Sequence, residues 1–353
     1  MARVVAKAIR SNGHPVLAQI VPIRRCNLAC GYCSEYDKTS APVPLDVMRA
    51  RIDHLAALGT SMVDLSGGEP LLHPDADEII RHIRACGMTA GLLTNGYLLT
   101  PDRIRRLNRA GLDRLQISID NVQPDDVSFK SLKVLDRKLE ALAAFATFDV
   151  NINTVVGAGV RQTSDALVIA RRARALGFGT SVGLVHDSSG QVRPLGDEER
   201  RVHAEVSRIG RGFYTHAHDD MFQQDLIAGR AHEWKCGAGA RYLYVCEDGL
   251  VHWCSQQRGT PGIPLGRYTA ADIQRELHTS KSCAPHCTIS CVHRVAVLDA
   301  LREAPLETLQ QLSARSGGGR APATVRLLQW MFVTGPQHQR FRRWATRAFG
   351  LGR

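Results

Sequence analysis

The sequence predicts an α/β protein: an open, partial (β/α)6 TIM-like barrel followed by a small cysteine-rich α+β unit. Three observations carry that prediction. Short apolar runs alternate with helical patterns about every 30 residues, which is the signature of parallel βα units rather than an antiparallel sheet. Six such units fit before Arg193, too few for a closed eight-stranded barrel. Beyond Cys236 the character changes to short strands and clustered cysteines.

The elements follow in order. Residues 16–23 (VLAQIVPI) form a continuous apolar run with Pro22 near its end and read as a buried strand. Cys26, Cys30 and Cys33 come next, at the spacing C-x3-C-x2-C. Pro44-Leu45-Asp46 opens a helix with Val47, Ile52, Leu55 and Leu58 at helical spacing and Gly59 as its stop. A strand over 62–65 runs into Ser66-Gly67-Gly68-Glu69-Pro70, a helix over 75–85 follows, and a strand over 89–93 leads into the turn Thr94-Asn95-Gly96. Thr100 and Pro101 make an N-cap and first-turn pair for a helix to Arg109. Strands over 115–119, 150–156 and 181–185 alternate with helices over 131–145 and 164–176. The cysteine loop, SGGEP, TNG and the ends of QISID and NINTVV all follow or finish a strand. Ligands of parallel α/β folds lie at the carboxyl ends of the strands, so these five segments are expected to line one mouth.

Of the 353 residues, 44% are apolar and 22% charged, an ordinary globular composition. No run approaches the roughly 18 uncharged apolar residues of a membrane span, and the N-terminus lacks a signal peptide's apolar core, so a cytoplasmic protein is expected. Four regions are expected: the barrel over 1–195, a helix and linker over 196–232, the cysteine-rich unit over 233–311 and a basic tail over 312–353. The net charge of +11 describes the tail, where eight arginines stand with no Asp, Glu or Lys; the remainder carries only +3. Apolar and aromatic residues interleave with those arginines, so the tail is expected either to lie on an anionic membrane surface or to pack on the protein's own body. Nucleic acid is not expected as a partner. The glycine-rich stretch 313–322 reads as a hinge.

Ten cysteines, gathered at 26/30/33 and at 236/246/254/283/287/291 with Cys86 apart, read as metal ligands rather than a disulfide framework. Three thiolates in one short loop leave one iron of a [4Fe–4S] cube without a protein ligand. Structural zinc fits that loop poorly because it wants four closed ligands, whereas a zinc site closed by four thiolates stays open as a reading for 236–291. SGGEP is not a phosphate loop, since no Lys-Ser/Thr follows it. His216, His218, Asp219 and Asp220 read as a solvated linker rather than a metal site. Cys86 reads as a half-buried thiol, and Arg24-Arg25 either steers an anionic cofactor or is solvated.

C-x3-C-x2-C with Tyr32 before its last cysteine, together with SGGEP after the second strand, resembles the radical S-adenosylmethionine (SAM) superfamily over roughly residues 16–190. The resemblance implies a [4Fe–4S] cluster on Cys26, Cys30 and Cys33, with SAM chelating the fourth iron. It further implies one-electron cleavage of SAM to a 5′-deoxyadenosyl radical that abstracts hydrogen from substrate. By the same resemblance Gly67, Gly68 and Glu69 approach the SAM amino group. Ser118 and Asn153 meet its carboxylate or ribose, with Asn95 and Asp120 as further contacts, and Tyr32 covers the adenine side. An electron donor such as flavodoxin or ferredoxin is implied as partner.

Cys236-x12-Gly249-x4-Cys254 resembles the opening half of the SPASM and twitch auxiliary-cluster domains, while Cys283-x3-Cys287-x3-Cys291 departs from the full SPASM closing pattern. The resemblance then implies one auxiliary [4Fe–4S] cluster, held by Cys236, Cys254 and two or three of Cys283, Cys287 and Cys291, with Cys246 spare. Relatives of this kind often act on peptides. Only 25 residues precede Cys26, however, which is too few for a leader-peptide recognition domain, so a small molecule or lipid is a rival substrate. The reading from another class is a non-catalytic iron–sulfur or zinc protein that senses or assembles and binds metal without binding SAM.

Overall fold

Each apolar run of the sequence becomes a strand of one sheet, and the helix after it covers that sheet's outer face. The computed structural model describes residues 2–33, 35–185, 192–210, 213–314 and 323–349. The six barrel strands are β1 (Leu17–Ile23), β2 (Met62–Gly67), β3 (Thr89–Thr94), β4 (Arg114–Ser118), β5 (Asp149–Gly157) and β6 (Gly179–Val185). Neighbouring strands from β1 to β6 pair in parallel. An N-terminal helix α1 (Ala2–Arg10), absent from the sequence-based expectation, precedes them, and α2 (Leu45–Ala57), α3 (Ala76–Ala85), α4 (Pro101–Ala110), α5 (Leu132–Phe145) and α6 (Asp165–Ala175) connect them.

Strand β1 is buried along its whole length because it is central and covered on both faces. Strand β4 alternates instead: Leu115 and Ile117 are buried in the helix-covered core, while Arg114 and Gln116 are half-buried. In α2 the buried stripe is Met48, Ile52 and Leu55, and Val47 is left 38% exposed, so the apolar face lies one position from that expected at the start of the helix. Helix α4 is capped as the sequence predicts, with the Thr100 hydroxyl accepting from the Arg103 N–H at 3.1 Å.

The cysteine-rich region is continuous with the barrel sheet. Strand β7 (Tyr242–Val245) pairs in parallel with β1, from Leu17 opposite Tyr242 to Ile20 opposite Val245, and β8 (Leu250–His252) and β9 (Pro261–Pro264) extend the edge antiparallel. Among the described residues the sheet has nine strands, in the order β6-β5-β4-β3-β2-β1-β7-β8-β9. Between the two regions stand α7 (Asp197–Ile209), α8 (Phe213–His218), a π-turn over Asp219–Gln223 and α9 (Gln224–Ile227). This stretch is packed rather than solvated: His218 is buried with its Nε2 3.1 Å from Nδ1 of His293, and His293 stacks on Phe222. The chain continues through α10 (Ala270–His278), α11 (Ser290–Glu303), α12 (Pro305–Ala314), α13 (Ala323–Gln329), a π-turn over Trp330–Thr334 and α14 (His338–Phe349). Residues 315–322 of the expected hinge lie outside the described residues. No helix among the described residues is long and apolar enough to cross a membrane.

Arg241 ties the N-terminal segment and α11 to the sheet. Its fully buried guanidinium donates to Asp299 of α11 at 2.9 Å, to the His14 carbonyl at 2.6 Å and to the Ala8 carbonyl at 2.9 Å. Replacing it strands a mostly buried carboxylate and two carbonyls, and breaking one side of a buried pair costs about 3–5 kcal/mol. Arg241→Met is expected to lose stability on that order in urea denaturation; a loss below about 1 kcal/mol would show that the clamp is not what docks α1 and α11.

Candidate cofactor and cluster site

The site is built where the SGGEP loop meets the cysteine loop. Gly67 has φ of 112°, a conformation open to glycine, and a Cβ at Gly68 would overlap the Arg24 and Arg25 carbonyl oxygens. Backbone hydrogen bonds close the junction, from Gly68 N to Ile23 O at 3.3 Å and from Glu69 N to Arg25 O at 3.0 Å. The approach of two backbones therefore requires these glycines before any ligand is considered.

Glu69 is fully buried and accepts from the Leu71 N–H at 3.0 Å, the Thr94 hydroxyl at 2.7 Å and the Asn95 N–H at 2.8 Å. Burial raises its pKa even against these donors. Its effect is to fix the turn after β3. From there Asn95 Nδ2 donates to Asn27 Oδ1 at 2.7 Å and reaches Cys26 Sγ at 3.7 Å. Cys26, the glycine loop and Asn95 are thus one connected unit.

The other side of the loop is pinned by Tyr32 and Asp120 together with Val127, Ser128 and Lys130, three residues that sequence reading left out. Gly31 N donates to Val127 O at 2.9 Å, and Cys30 Sγ lies 3.7 Å from the Ser128 hydroxyl. Ser128 donates to Asp120 at 2.7 Å, and Asp120 also accepts from the Tyr32 hydroxyl and pairs with Lys130 at 3.0 Å. Lys130 in turn donates to the Tyr32 hydroxyl and sits 5.0 Å from its ring centre. Ser128 and Lys130 belong to the segment between β4 and α5, whose sequence carries no periodic or spacing signal that could have singled them out.

Ser118 ends β4 and lies directly opposite Asn153 of β5, so the two sequence-predicted positions share one level of the sheet. Asn153 Oδ1 accepts from Ser181 on β6 at 2.9 Å. Arg24 pairs with Glu247 at 3.3 Å.

The cysteines differ in their surroundings. Cys26 Sγ accepts from the N–H of Leu28 and Cys287 Sγ from that of Ile289, both at 3.4 Å. Cys33, Cys236 and Cys254 likewise receive backbone N–H bonds from Glu35, Ala238 and Gln256, each two residues on. N–H bonds to sulfur stabilise thiolates and tune the metals they hold. Burial pushes all five thiols up, Cys254 to about 12, so a metal taken up here displaces protons. Cys236, Cys254, Cys283 and Cys287 are near enough to act on one another electrostatically. The charged neighbours of Cys246 are Glu247, Asp248 and Glu35, and those of Cys291 are Arg294, Asp64, Arg114 and Glu35, although Cys291 also packs against the apolar cluster that holds Cys236 and Cys254.

Glu35, which the sequence did not mark, connects the two groups. It follows Cys33 by two residues, accepts from the Tyr244 hydroxyl of β7 at 2.9 Å and bonds Ser255, the neighbour of Cys254.

The junction generates a test. Gly68→Ala must push the Arg24–Arg25 backbone away, and iron retained after anaerobic reconstitution is expected to fall by more than half relative to wild type. Glu69→Gln replaces an acceptor with a donor facing the Thr94 hydroxyl or the Asn95 N–H, and is expected to cost about 1–3 kcal/mol in denaturation. Wild-type iron content in the first variant would contradict the close-approach argument.

Residues 20–185 match the sequence profile of the Radical SAM superfamily. The AdoMet-dependent heme synthase of Methanosarcina barkeri is 33% identical over 193 residues, covering 50% of this chain and 54% of that protein. The PqqA peptide cyclase of Gluconobacter oxydans is 37% identical over 101 residues, 28% of each chain. This chain therefore spans about half the length, or less, of the relatives it matches. Among solved structures, Streptococcus suis SuiB bound to S-adenosylmethionine aligns over 86% of this chain and 78% of its own, with 15% identity and a TM-score of 0.53. Native anSMEcpe with bound AdoMet and the Cp18Cys peptide aligns over 94% of this chain and 99% of its own, with 13% identity and a TM-score of 0.53. Those two likenesses speak to the fold; the sequence match gives the segment 20–185, which carries the cysteine and glycine loops, a radical SAM domain.

Proposed function

We propose that the protein binds a [4Fe–4S] cluster at Cys26, Cys30 and Cys33 with SAM at the open iron, and starts radical chemistry on a substrate held in the barrel. The supporting observation is the single connected unit of Cys26, Gly67–Glu69 and Asn95 at the carboxyl edge of the parallel strands. When bound, the cluster and SAM supply a 5′-deoxyadenosyl radical able to abstract hydrogen from an unactivated carbon. The protein's own part is orientation. Leu28 N–H and Asn95 Nδ2 support the Cys26 thiolate, Glu69 holds the Asn95 turn, and Ser118 and Asn153 offer a hydroxyl and an amide for SAM's carboxylate or ribose. Tyr32, its hydroxyl held by Asp120 and Lys130, presents its ring to the adenine side.

A second [4Fe–4S] cluster is assigned to Cys236, Cys254, Cys283 and Cys287, the thiols that act on one another. Four thiolates close its coordination, which suits an electron relay better than a substrate ligand, with Glu35 between the centres and a flavodoxin or ferredoxin as donor. A peptide is the favoured substrate class, supported by a fold shared with SuiB, which has been solved with its precursor peptide SuiA, and with the peptide-bound anSMEcpe. The tail supports a further contact: Leu327, Trp330 and Trp344 are each more than half exposed beside Arg326, Arg340, Arg342 and Arg343, a composition suited to an anionic membrane surface reached from the cytoplasm.

The decisive experiment is anaerobic reconstitution with a chemical reductant and SAM. Wild type is expected to carry about eight irons per chain and to release 5′-deoxyadenosine; Cys→Ala at 26, 30 and 33 is expected to abolish that release. Cys236→Ala combined with Cys254→Ala is expected to leave about four irons. Cleavage of SAM surviving in the first variant would sink the assignment, and eight irons in the second would sink the auxiliary centre.

A further inference from the structure

Helix α11 turns one face, Cys291, Arg294, Val295 and Leu298, toward the concave side of the sheet. Between that face and the amino-terminal parts of the strands lies a cavity of about 610 Å3, lined by Leu17, Asp64, Arg114, Gln116 and Asn151 and reaching the ends of α5 and α6 at Ala146 and Leu176. The charges in it are unequally matched. Arg114 is committed to Asp64 through two contacts of 2.7 Å. Arg294 has no hydrogen bond or ion pair among the described residues; Cys291, Arg114 and the already paired Asp64 act on it electrostatically, and it acts in turn on buried His218. Glu35, the other carboxyl felt by Cys291, is engaged with the Tyr244 hydroxyl at 2.9 Å and with Ser255. Asp149 lies at the exposed rim. An arginine stays charged under these conditions, so the cavity holds one guanidinium without a counter-ion.

Cys291 stands beside it on the same helix face. Its sulfur accepts from Gln19 Nε2 at 3.3 Å, and the Gln19 carbonyl oxygen in turn accepts from the Tyr242 hydroxyl, which fixes the amide's orientation. The level of this group on the sheet is that of Gln19 and Asp64, which pair in register. It lies about 10 Å, three strand residues, below the Gly67 level where the cofactor loop begins.

We infer that the Arg294 guanidinium, with the free Cys291 thiol beside it, forms an anchor for a carboxylate group of the substrate inside the barrel. Its role as a substrate anchor rests on the radical SAM reading, and it names the substrate's chemistry at the same site: a molecule with a carboxylate, such as a side chain or terminus of a short peptide segment, that reaches this level while its reacting carbon lies toward the carboxyl ends of the strands.

Cys291 makes the anchor testable without knowing the substrate, because iodoacetate is itself a small carboxylate and iodoacetamide is its neutral counterpart. Reconstituted holoprotein is alkylated with each reagent at one pH, and the rate at every cysteine is followed by peptide mass spectrometry. The iodoacetate-to-iodoacetamide ratio at Cys291 is expected to exceed that of the same cysteine in urea-unfolded protein by about fivefold or more. In Arg294→Gln the ratio is expected to fall to within about twofold of the unfolded value, while Arg294→Lys keeps part of the preference. Iron content and denaturation midpoint equal to wild type certify that each variant is folded. Cys291 unreactive to both reagents, an absent preference, or a preference unchanged in Arg294→Gln would each overturn the anchor. So would a loss of auxiliary-cluster iron in Cys291→Ser, which would make the thiol a ligand. None of these readouts needs SAM, so loss of the anion preference with 5′-deoxyadenosine release intact removes the anchor alone, whereas the reverse result removes the reaction and leaves an anion site.

Discussion

The contact on which the rest of the site depends is the meeting of two backbones at Gly68 and the Arg24–Arg25 carbonyls. No side chain fits there, so the cysteine loop and the glycine loop are held at a fixed spacing by hard-sphere contact and by two backbone hydrogen bonds. From that junction the geometry spreads outward. Glu69, immobilised by three donors, sets the Asn95 turn, and Asn95 reaches back to Cys26. A flexible surface loop could not keep three thiols in register with a cofactor; this one is closed on itself through β2 and β3. The second fastening, through Tyr32, Asp120, Lys130 and Ser128, is ionic and mostly buried, and it fixes the loop's far end to the segment after β4.

The sheet carries the same logic to the second group of cysteines. Strand β7 adds to the free edge of β1 in parallel, which brings the residues after it to the same end as the cysteine loop. Glu35 then needs only Tyr244 and Ser255 to join Cys33 to the neighbourhood of Cys254. The Arg241 clamp draws α1 and α11 together against this edge, and α11 in turn roofs the concave side left uncovered by an incomplete barrel. An open (β/α)6 sheet must cover that side with something; here the cover is also the wall of the cavity.

Much of this was legible in the sequence because it is local. Strand runs, the Thr100-Pro101 cap, the C-x3-C-x2-C loop and SGGEP each depend on neighbours in the chain, and they lie where their patterns put them. What stayed hidden depends on long-range pairing. Nothing in residues 242–245 says that they will align with 17–20 more than 200 residues earlier. Lys130, Ser128 and Glu35 are single polar residues without periodicity, and their importance comes from what the fold brings against them. The stretch His216 to Asp220 misled for the opposite reason: its polarity suggests solvent, yet its π-turn buries His218 against His293 and an aromatic cluster.

The cysteines after 280 show how one spacing can carry two meanings. Cys283-x3-Cys287 and Cys287-x3-Cys291 are identical as text. The first pair flanks a 3-10 turn over Ala284–His286, a tight bend that returns the chain and leaves both thiols near Cys236 and Cys254. The second pair straddles the start of α11, whose N-cap is Ile289, so Cys287 lies before the helix and Cys291 within its first turn. Crossing that boundary turns the backbone from extended at Cys287 to helical at Cys291, and the helix's 3.6-residue period then places Cys291 on the cavity face with Arg294, Val295 and Leu298. A cysteine count treats both pairs as candidate ligands; the backbone conformation between them sends one thiol to the proposed cluster and the other to the cavity.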